Sequence, residues 1–146
     1  MFTYNAEITQ DEDGRYVVTF PDLPYGVTDG ATIEEALFEA VDCLDEVIAG
    51  IIESDEPIPE SVPAEMGQYI IPLSALMSAK AALYTSMRDK GLTKVAVASR
   101  INRNEKEVRR MLDPHHNTKI KSIEQALHVM GKRLKVTVED EDCQVA

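Results

Sequence analysis

The spacing of the apolar residues changes near Pro72, and this change constrains the fold more than any other feature of the chain. Before Pro72, short runs that alternate between apolar and polar residues, as half-buried β-strands do, surround a single helical stretch. After Ser74, apolar residues recur every three or four positions, as they do in amphipathic helices. Residues 1–72 contain seventeen acidic residues and one basic residue, whereas residues 73–138 contain fourteen basic and five acidic residues. The sequence therefore predicts an α+β protein with two domains, 1–72 and 73–146.

The first domain is predicted to have the order β-β-β-α-β. The predicted strands are residues 1–8, 16–20, 26–28 and 68–72. Asp11 to Gly14 have the composition of a hairpin turn between the first two strands. Thr32 and Glu35 have the spacing of a capping box, which predicts the start of a long amphipathic helix. The prolines between residues 54 and 67 predict an irregular connection before the last strand.

The second domain is predicted to be mostly helical. Helices are expected at residues 74–90, 93–101, 104–112 and 122–131. A capping box at Ser122 is expected to open the last helix. A short terminal strand is expected at Leu134–Val138. In the pair of helices at 93–112, Ala98 is small enough for close packing and Val108 faces inward. Asn102 is expected in the left-handed conformation at the turn, where asparagine is the best substitute for glycine. These offsets predict a helix-turn-helix unit, whose second helix enters the major groove of DNA.

The candidate DNA contacts lie on these two helices, in the turn between them and in the loop that follows. They are Lys94, Arg103, Asn104, Glu105, Lys106, Arg109, Arg110, Thr118 and Lys119. The last two are expected to hold a phosphate. An ordinary charged helix surface is the alternative interpretation of Glu105 and Lys106. His115 and His116 are adjacent, but neighbouring residues rarely face one ion, so neither a metal nor any other cofactor is predicted.

The order of several short blocks resembles the HicB family of antitoxins, in the form with a C-terminal helix-turn-helix domain. These blocks are residues 1–8, 14–24, 28–36, 71–74, 115–120 and 131–134. The resemblance implies a partial RNase H-like first domain that binds and masks a small basic toxin, HicA, which cleaves mRNA. It also implies an Xre/Cro-like second domain that forms a homodimer or a dimer of dimers, binds operator DNA and represses its own operon.

The charge of the first domain agrees with a basic partner, because opposite charges accelerate association and suppress wrong partners. The residues expected to contact the toxin lie in the loop after the second strand and immediately after the third strand. They are Pro21, Asp22, Leu23, Tyr25 and Asp29. The alternative interpretation is that this loop is merely rigid and that the acidic residues keep the protein soluble.

Two other functions compete with the antitoxin hypothesis. A nuclease needs carboxylates that converge on divalent ions, whereas Asp11 to Asp13 lie in a turn, so the protein is not expected to be an enzyme. A stand-alone helix-turn-helix regulator whose first domain senses a small ligand would share every feature of the second domain, and it remains the alternative.

The location of the protein is predicted from three features of the sequence. No run of about 20 apolar residues is present, as a membrane span would require, and the first residues lack the pattern of a signal peptide. The two cysteines, Cys43 and Cys143, do not form a disulfide framework. A cytoplasmic protein is therefore expected.

Overall fold

The computed structural model describes residues 2–138, and within this range it has four strands and five helices. The strands are β1 (Thr3–Gln10), β2 (Tyr16–Thr19), β3 (Val27–Gly30) and β4 (Tyr69–Pro72). The helices are α1 (Ile33–Glu53), α2 (Ala75–Asp89), α3 (Lys94–Arg100), α4 (Glu105–Leu112) and α5 (Ile120–His128). The α+β class and the initial order β-β-β-α-β are therefore confirmed. Cys143 lies outside the described residues.

The described residues divide into two compact units. Unit 1 consists of residues 2–48 and 59–74, and unit 2 consists of residues 49–58 and 75–138. The division falls within α1, whose last turn belongs to unit 2. A single break after Pro72 would have left residues 49–58 in the first domain. None of the described helices is long and apolar enough to cross a membrane.

Unit 1 is built on an antiparallel sheet with the strand order β3-β2-β1-β4. Gly30 ends β3 where α1 begins. A Cβ atom at this position would lie 2.4 Å from the backbone nitrogen of Ala36, so only glycine permits this close approach. Thr32 Oγ1 accepts the N–H of Glu35, as the capping box predicts, but the Glu35 carboxylate accepts the N–H of Ala31 instead of that of the cap residue. The fully buried side of α1 in this unit comprises Ala36, Ala40, Leu44 and Ile48.

The proline-rich connection is irregular, as predicted, and hydrogen bonds attach it to β1. The Tyr4 hydroxyl donates to the carbonyl oxygen of Pro59 at 2.8 Å, and the Asn5 amide donates to that of Val62 at 3.0 Å. Both donors are buried. The connection therefore satisfies polar groups of the sheet that would otherwise be buried without a partner.

In unit 2, α3 and α4 are joined by the four residues 101–104. Asn102 has a φ angle of +55°, so the predicted left-handed turn residue is present. The predicted inward positions are also found, because Ala98 and Val108 are buried. Other buried side chains of this unit are Leu83, Val97, Met111, Ile123 and Leu127.

Two predictions for the end of the chain are wrong. Helix α5 begins at Ile120, and the N–H of Ser122 already bonds to the carbonyl oxygen of Lys119, so Ser122 does not open the helix with a capping box. The segment Leu134–Val138 forms no strand. A strand needs a neighbour for its backbone hydrogen bonds, and none of the described strands pairs with this segment.

Candidate binding surfaces

The start of α4 is held by a reciprocal pair of hydrogen bonds. Asn104 Oδ1 accepts the N–H of Glu107 at 2.9 Å, and Glu107 Oε2 accepts the N–H of Asn104 at 3.1 Å. These bonds satisfy two groups that a helix terminus leaves without partners. The side-chain oxygen of Asn104, a predicted DNA contact, therefore already serves as the helix cap.

Two arginines that were predicted to contact DNA pair with acidic residues of α4. Arg109 Nη2 lies 2.9 and 3.0 Å from the two carboxylate oxygens of Glu105. Arg103 Nη1 lies 3.2 Å from Glu107 Oε1, and its Nη2 lies 3.0 Å from Gln125 Oε1. Both ion pairs are partly exposed. Such pairs contribute about 0.3–0.5 kcal/mol each, so a phosphate can displace them.

Four other predicted DNA contacts are exposed cations: Lys94, Lys106, Arg110 and Lys119. Within residues 2–138 none of them forms an ion pair. Their charge is therefore available to an anionic partner, in contrast to that of Arg103 and Arg109.

The loop between α4 and α5 is built on a buried lysine that the sequence analysis did not identify. Lys80 of α2 is fully buried. Its ammonium group donates to the carbonyl oxygens of Asp113 and His116 and lies 3.3 Å from Thr118 Oγ1. Burial lowers the pKa of Lys80, and the charge of Asp113 partly opposes this shift. The signal in the sequence was a lysine on the apolar side of a helix, three residues after Met77 and four before Tyr84.

Thr118 is turned inward, which changes the role proposed for it. Only 7% of the residue is exposed, and its hydroxyl donates to the carbonyl oxygen of Arg110 at 3.0 Å in the last turn of α4. Geometry thus supports a role for Thr118 in shaping the loop instead of a direct contact of its hydroxyl with phosphate. Lys119, the next residue, stays exposed.

The two adjacent histidines face different partners. His115 Nδ1 lies 3.3 Å from a carboxylate oxygen of Glu53, and His116 Nδ1 lies 2.9 Å from Thr118 Oγ1. Over the described range 2–138, no group of three or more His, Cys, Asp or Glu side chains is arranged to hold a metal ion.

In unit 1, the loop 20–26 consists of two consecutive turns. The N–H of Leu23 bonds to the carbonyl oxygen of Phe20, and the N–H of Gly26 bonds to that of Leu23. A Cβ atom at Gly26 would lie 2.7 Å from the ring of Phe20, so the loop packs tightly on this ring. Leu23 is 1% exposed and Tyr25 is 90% exposed. Leu23 is therefore a core residue that supports the loop. The prediction that its side chain contacts a toxin does not agree with this burial.

The other predicted toxin contacts differ in their surroundings. Pro21 is exposed, whereas Asp22 is partly buried and, within residues 2–138, its Oδ2 has no hydrogen-bond partner. Burial, together with the charge of Asp22, raises the pKa of Tyr4 to about 12. Asp29 is paired with Arg15, the single basic residue of the first half of the sequence.

Phe38 is an exposed aromatic residue that the sequence analysis did not select. It is 72% exposed on α1. Glu34 and Asp42 are one turn away on the same side of the helix, since residues four apart are neighbours on a helix surface. The available signal was a phenylalanine outside the apolar stripe of this helix. Unit 1 therefore presents two exposed aromatic side chains, Tyr25 and Phe38, among acidic residues.

The charges of the two units have opposite signs. In the described residues, unit 1 has fourteen acidic residues and one basic residue, and unit 2 has fourteen basic and eight acidic residues. The protein thus combines an acidic α+β unit that exposes aromatic side chains with a basic helical unit, and each unit offers a candidate surface for a partner of opposite charge.

Comparison with known proteins identifies the family. Residues 3–82 match the family described as HicB-like antitoxins of bacterial toxin–antitoxin systems. Because this match covers more than half of the chain, the protein belongs to the HicB-like antitoxin family. The resemblance predicted from the sequence is confirmed at this level.

Relatives named as HicB antitoxins match nearly the whole chain. Antitoxin HicB 1 of Photorhabdus laumondii is 32% identical over 136 residues, which are 93% of this chain and 86% of the relative. Antitoxin HicB of Escherichia coli K12 is 29% identical over 135 residues, 92% of this chain and 98% of the relative. Antitoxin HicB of Pseudomonas fluorescens is 29% identical over 140 residues, 95% of each chain. The similarity therefore extends over both units.

Proposed function

We propose that this protein is a cytoplasmic antitoxin with two activities. Unit 1, with a partial RNase H-like fold, binds and neutralises a small basic HicA-type toxin that cleaves mRNA. Unit 2, with an Xre/Cro-like helix-turn-helix, binds operator DNA and represses the protein's own operon. The observation that carries this proposal is the separation of charge, which is −13 in unit 1 and +6 in unit 2 over the described residues. Family membership supports the toxin as the partner of unit 1.

Charge and exposed aromatic side chains support toxin binding by unit 1. A toxin that cleaves RNA must present a cationic surface to phosphate, and an acidic protein that covers this surface excludes RNA. Electrostatic attraction mainly accelerates association, whereas a few buried aromatic or arginine side chains carry most of the binding energy. Tyr25 and Phe38 are 90% and 72% exposed and are suited to such a role. Unit 1 therefore acts as a competitive mask and needs no catalytic residue.

The assay for toxin binding uses the protein encoded by the reading frame next to the gene of this antitoxin, as the candidate toxin. It measures RNA cleavage by that candidate while this protein is added in increasing amounts. The wild-type protein should abolish cleavage at equal concentrations. Tyr25→Ala and Phe38→Ala should each raise the Kd for the toxin by about 30-fold, the effect of losing a typical hot-spot residue. Val95→Ala is the matched control, because Val95 is an exposed apolar residue of unit 2.

The toxin proposal fails if the wild-type protein neither binds the neighbouring product nor blocks its cleavage of RNA. In that case, a stand-alone regulator that senses a small ligand becomes the better interpretation. If the wild type binds and both aromatic variants bind equally well, the toxin is held by another part of the protein.

The geometry of α4 supports operator binding by unit 2. The helix start is capped by its own residues, so the first turn is ordered before any contact with DNA. Lys106, Arg110 and Lys119 are exposed cations on α4 and at the start of α5. Phosphate contacts of this kind fix the register of a protein on the duplex, and contacts to base edges provide specificity.

A homodimer is part of the proposal, because two-fold dimers read half-sites about 34 Å apart or a multiple of this distance. In the segment 134–138, Val136 is 69% exposed and Val138 is 98% exposed. We propose that these exposed apolar side chains lie in the contact between two copies of the chain. Replacing Val136 by lysine should then shift the protein from dimer to monomer in light scattering; an unchanged mass would place the dimer contact elsewhere.

The DNA assay measures fluorescence anisotropy of a duplex from the protein's own promoter. Binding should exceed that of an unrelated duplex, and the logarithm of affinity should fall linearly with the logarithm of salt concentration. Equal binding to both duplexes would contradict operator recognition.

A further inference from the structure

Lys80 is the most unusual buried group of unit 2. Lysine side chains are almost never fully buried unless they are paired, and Lys80 is 0% exposed. Its hydrogen-bond acceptors are the carbonyl oxygens of Asp113 and His116 and the hydroxyl oxygen of Thr118. An ammonium group has three N–H donors, so each donor has an acceptor.

All three acceptors belong to one short segment, residues 113–118, which connects α4 to α5. Hydrogen bonds within this segment extend the network. The N–H of His116 bonds to the carbonyl oxygen of Asp113 at 3.2 Å, and the N–H of Thr118 bonds to that of His116 at 2.8 Å. The Thr118 hydroxyl also donates to the carbonyl oxygen of Arg110. Lys80 thus ties the end of α4 and the start of α5 to the same point on α2.

Two exposed cations lie at the ends of this segment. Arg110 is in the last turn of α4, and Lys119 is the residue immediately before α5. We propose that Lys80 is a positioning residue of the DNA-binding surface, which holds the loop so that Arg110 and Lys119 meet the phosphate backbone together. This inference rests on the proposed binding of operator DNA by unit 2. Lys80 itself does not touch DNA because it is fully buried.

The chemistry of the site favours this role over simple packing. An apolar side chain of similar length fills the same volume, but each of the two carbonyl oxygens then keeps only its backbone N–H donor and loses the charged donor from α2. The hydrogen bonds that join the loop to α2 are then lost, so residues 113–118 and the adjacent Lys119 are free to shift. Buried charges are often no more stabilising than apolar residues of equal volume. The contribution specific to the ammonium group is therefore the conformation of residues 113–118.

The test is a double-mutant cycle on operator affinity, measured at several salt concentrations. The variants are Lys80→Met, Lys119→Ala and the two combined. Lys119→Ala should lower the slope of the salt dependence by about 1, as the loss of one phosphate contact does. Lys80→Met should lower this slope by at least as much and weaken binding roughly tenfold, although Lys80 is inaccessible to DNA. The combined variant should bind no worse than Lys80→Met alone, because the contact of Lys119 is already lost.

A purely structural role for Lys80 predicts a different pattern. The salt slope of Lys80→Met would then equal that of the wild type, and the effects of the two substitutions would add. Either result would overturn the inference. Circular dichroism and inhibition of the toxin by unit 1 provide the folding controls for the whole chain.

A second variant keeps the test decisive if Lys80→Met does not fold. Thr118→Val removes one acceptor of Lys80 and the bond to Arg110 but retains the buried ammonium group. It should also lower the slope of the salt dependence. Its effect on operator affinity and that of Lys119→Ala should not add in the combined variant. An unchanged slope in this variant would equally overturn the inference.

Hydrogen exchange separates a failure of this inference from a failure of DNA binding. Lys80→Met, or Thr118→Val in its place, should accelerate exchange of the amides of His116 and Thr118, while the amides of β1 in unit 1 keep their wild-type rates. If the wild type binds no DNA, both operator binding by unit 2 and the positioning role of Lys80 in it are refuted. Faster exchange of the two amides in the variant would then still show that Lys80 holds the loop. If the wild type binds DNA and these amides exchange at unchanged rates, Lys80 does not position the loop.

Discussion

Replacing Glu105 by glutamine should strengthen operator binding, which is the opposite of what a base contact by Glu105 would give. The Glu105 carboxylate holds the guanidinium group of Arg109, with both oxygens within 3.0 Å of Nη2. Glutamine has nearly the same size and still accepts one hydrogen bond. It removes the negative charge that competes with phosphate for Arg109.

The size of the gain follows from two contributions. The pair joins residues four apart on a helix and is exposed by 67% and 33%, so it is worth about 0.3–0.5 kcal/mol, or roughly a factor of two in affinity. A carboxylate within about 4–8 Å of a phosphate in water adds a repulsion of about 0.5–1 kcal/mol. Glu105→Gln should therefore bind roughly four- to twelvefold more tightly at low salt, and the gain should shrink as salt screens the charges. The free energy of unfolding should fall by no more than about 1 kcal/mol, because the first turn of α4 loses a favourable acidic residue.

The assay is anisotropy of the promoter duplex at low and at physiological salt, with Glu39→Gln as the matched control. Glu39 is an exposed acidic residue of α1 in unit 1, so its replacement makes the same change in net charge away from α4. An equal gain in both variants would mean that net charge, and not the pair with Arg109, is responsible. Weaker binding of Glu105→Gln would refute the reasoning and would support a direct contact of Glu105 with a base.

Three further predictions concern operator binding, the cap of α4 and the response to alkaline pH. Arg109→Ala should weaken operator binding by about 1–3 kcal/mol in the anisotropy assay and leave toxin inhibition intact; equal loss of both activities would contradict the division of labour between the units. Asn104→Ala should lower the free energy of unfolding by about 1 kcal/mol in urea titrations, whereas Asn104→Ser keeps a cap and should lose much less; similar losses would exclude the cap as the cause. The wild-type protein should lose stability between pH 10 and 12, because Tyr4 ionises near 10 when unfolded and near 12 when folded, so that rising pH favours the unfolded state. Tyr4→Phe should reduce the loss of stability with rising pH. The ultraviolet absorbance of the wild type should detect one tyrosinate that forms near pH 12. A wild-type titration without this late tyrosinate would contradict the prediction.

The secondary structure and its local devices were predictable because they depend on residues close together in the chain. The strand β1, the left-handed Asn102 and the inward position of Val108 follow from periodicity and from backbone conformation, and the structure has all three. The cap formed by Asn104 is equally local, because donor and acceptor are three residues apart. Where a local signal competed with packing, as at Ser122, the prediction of the helix start was wrong.

The availability of each side chain to a partner was decided only by the tertiary structure. Leu23 and Thr118 were predicted to contact partners, yet both are turned inward by hydrogen bonds and packing that involve other segments. Lys80 finds its acceptors 33 to 38 positions further along the chain, a distance that no pattern of neighbours encodes. Charge and periodicity in the sequence thus determined the α+β class of the protein and the sign of the charge on each proposed binding surface. Burial is a sum over contacts from distant segments, and for this reason only the folded chain decides which of the charged and aromatic residues can meet a toxin or DNA.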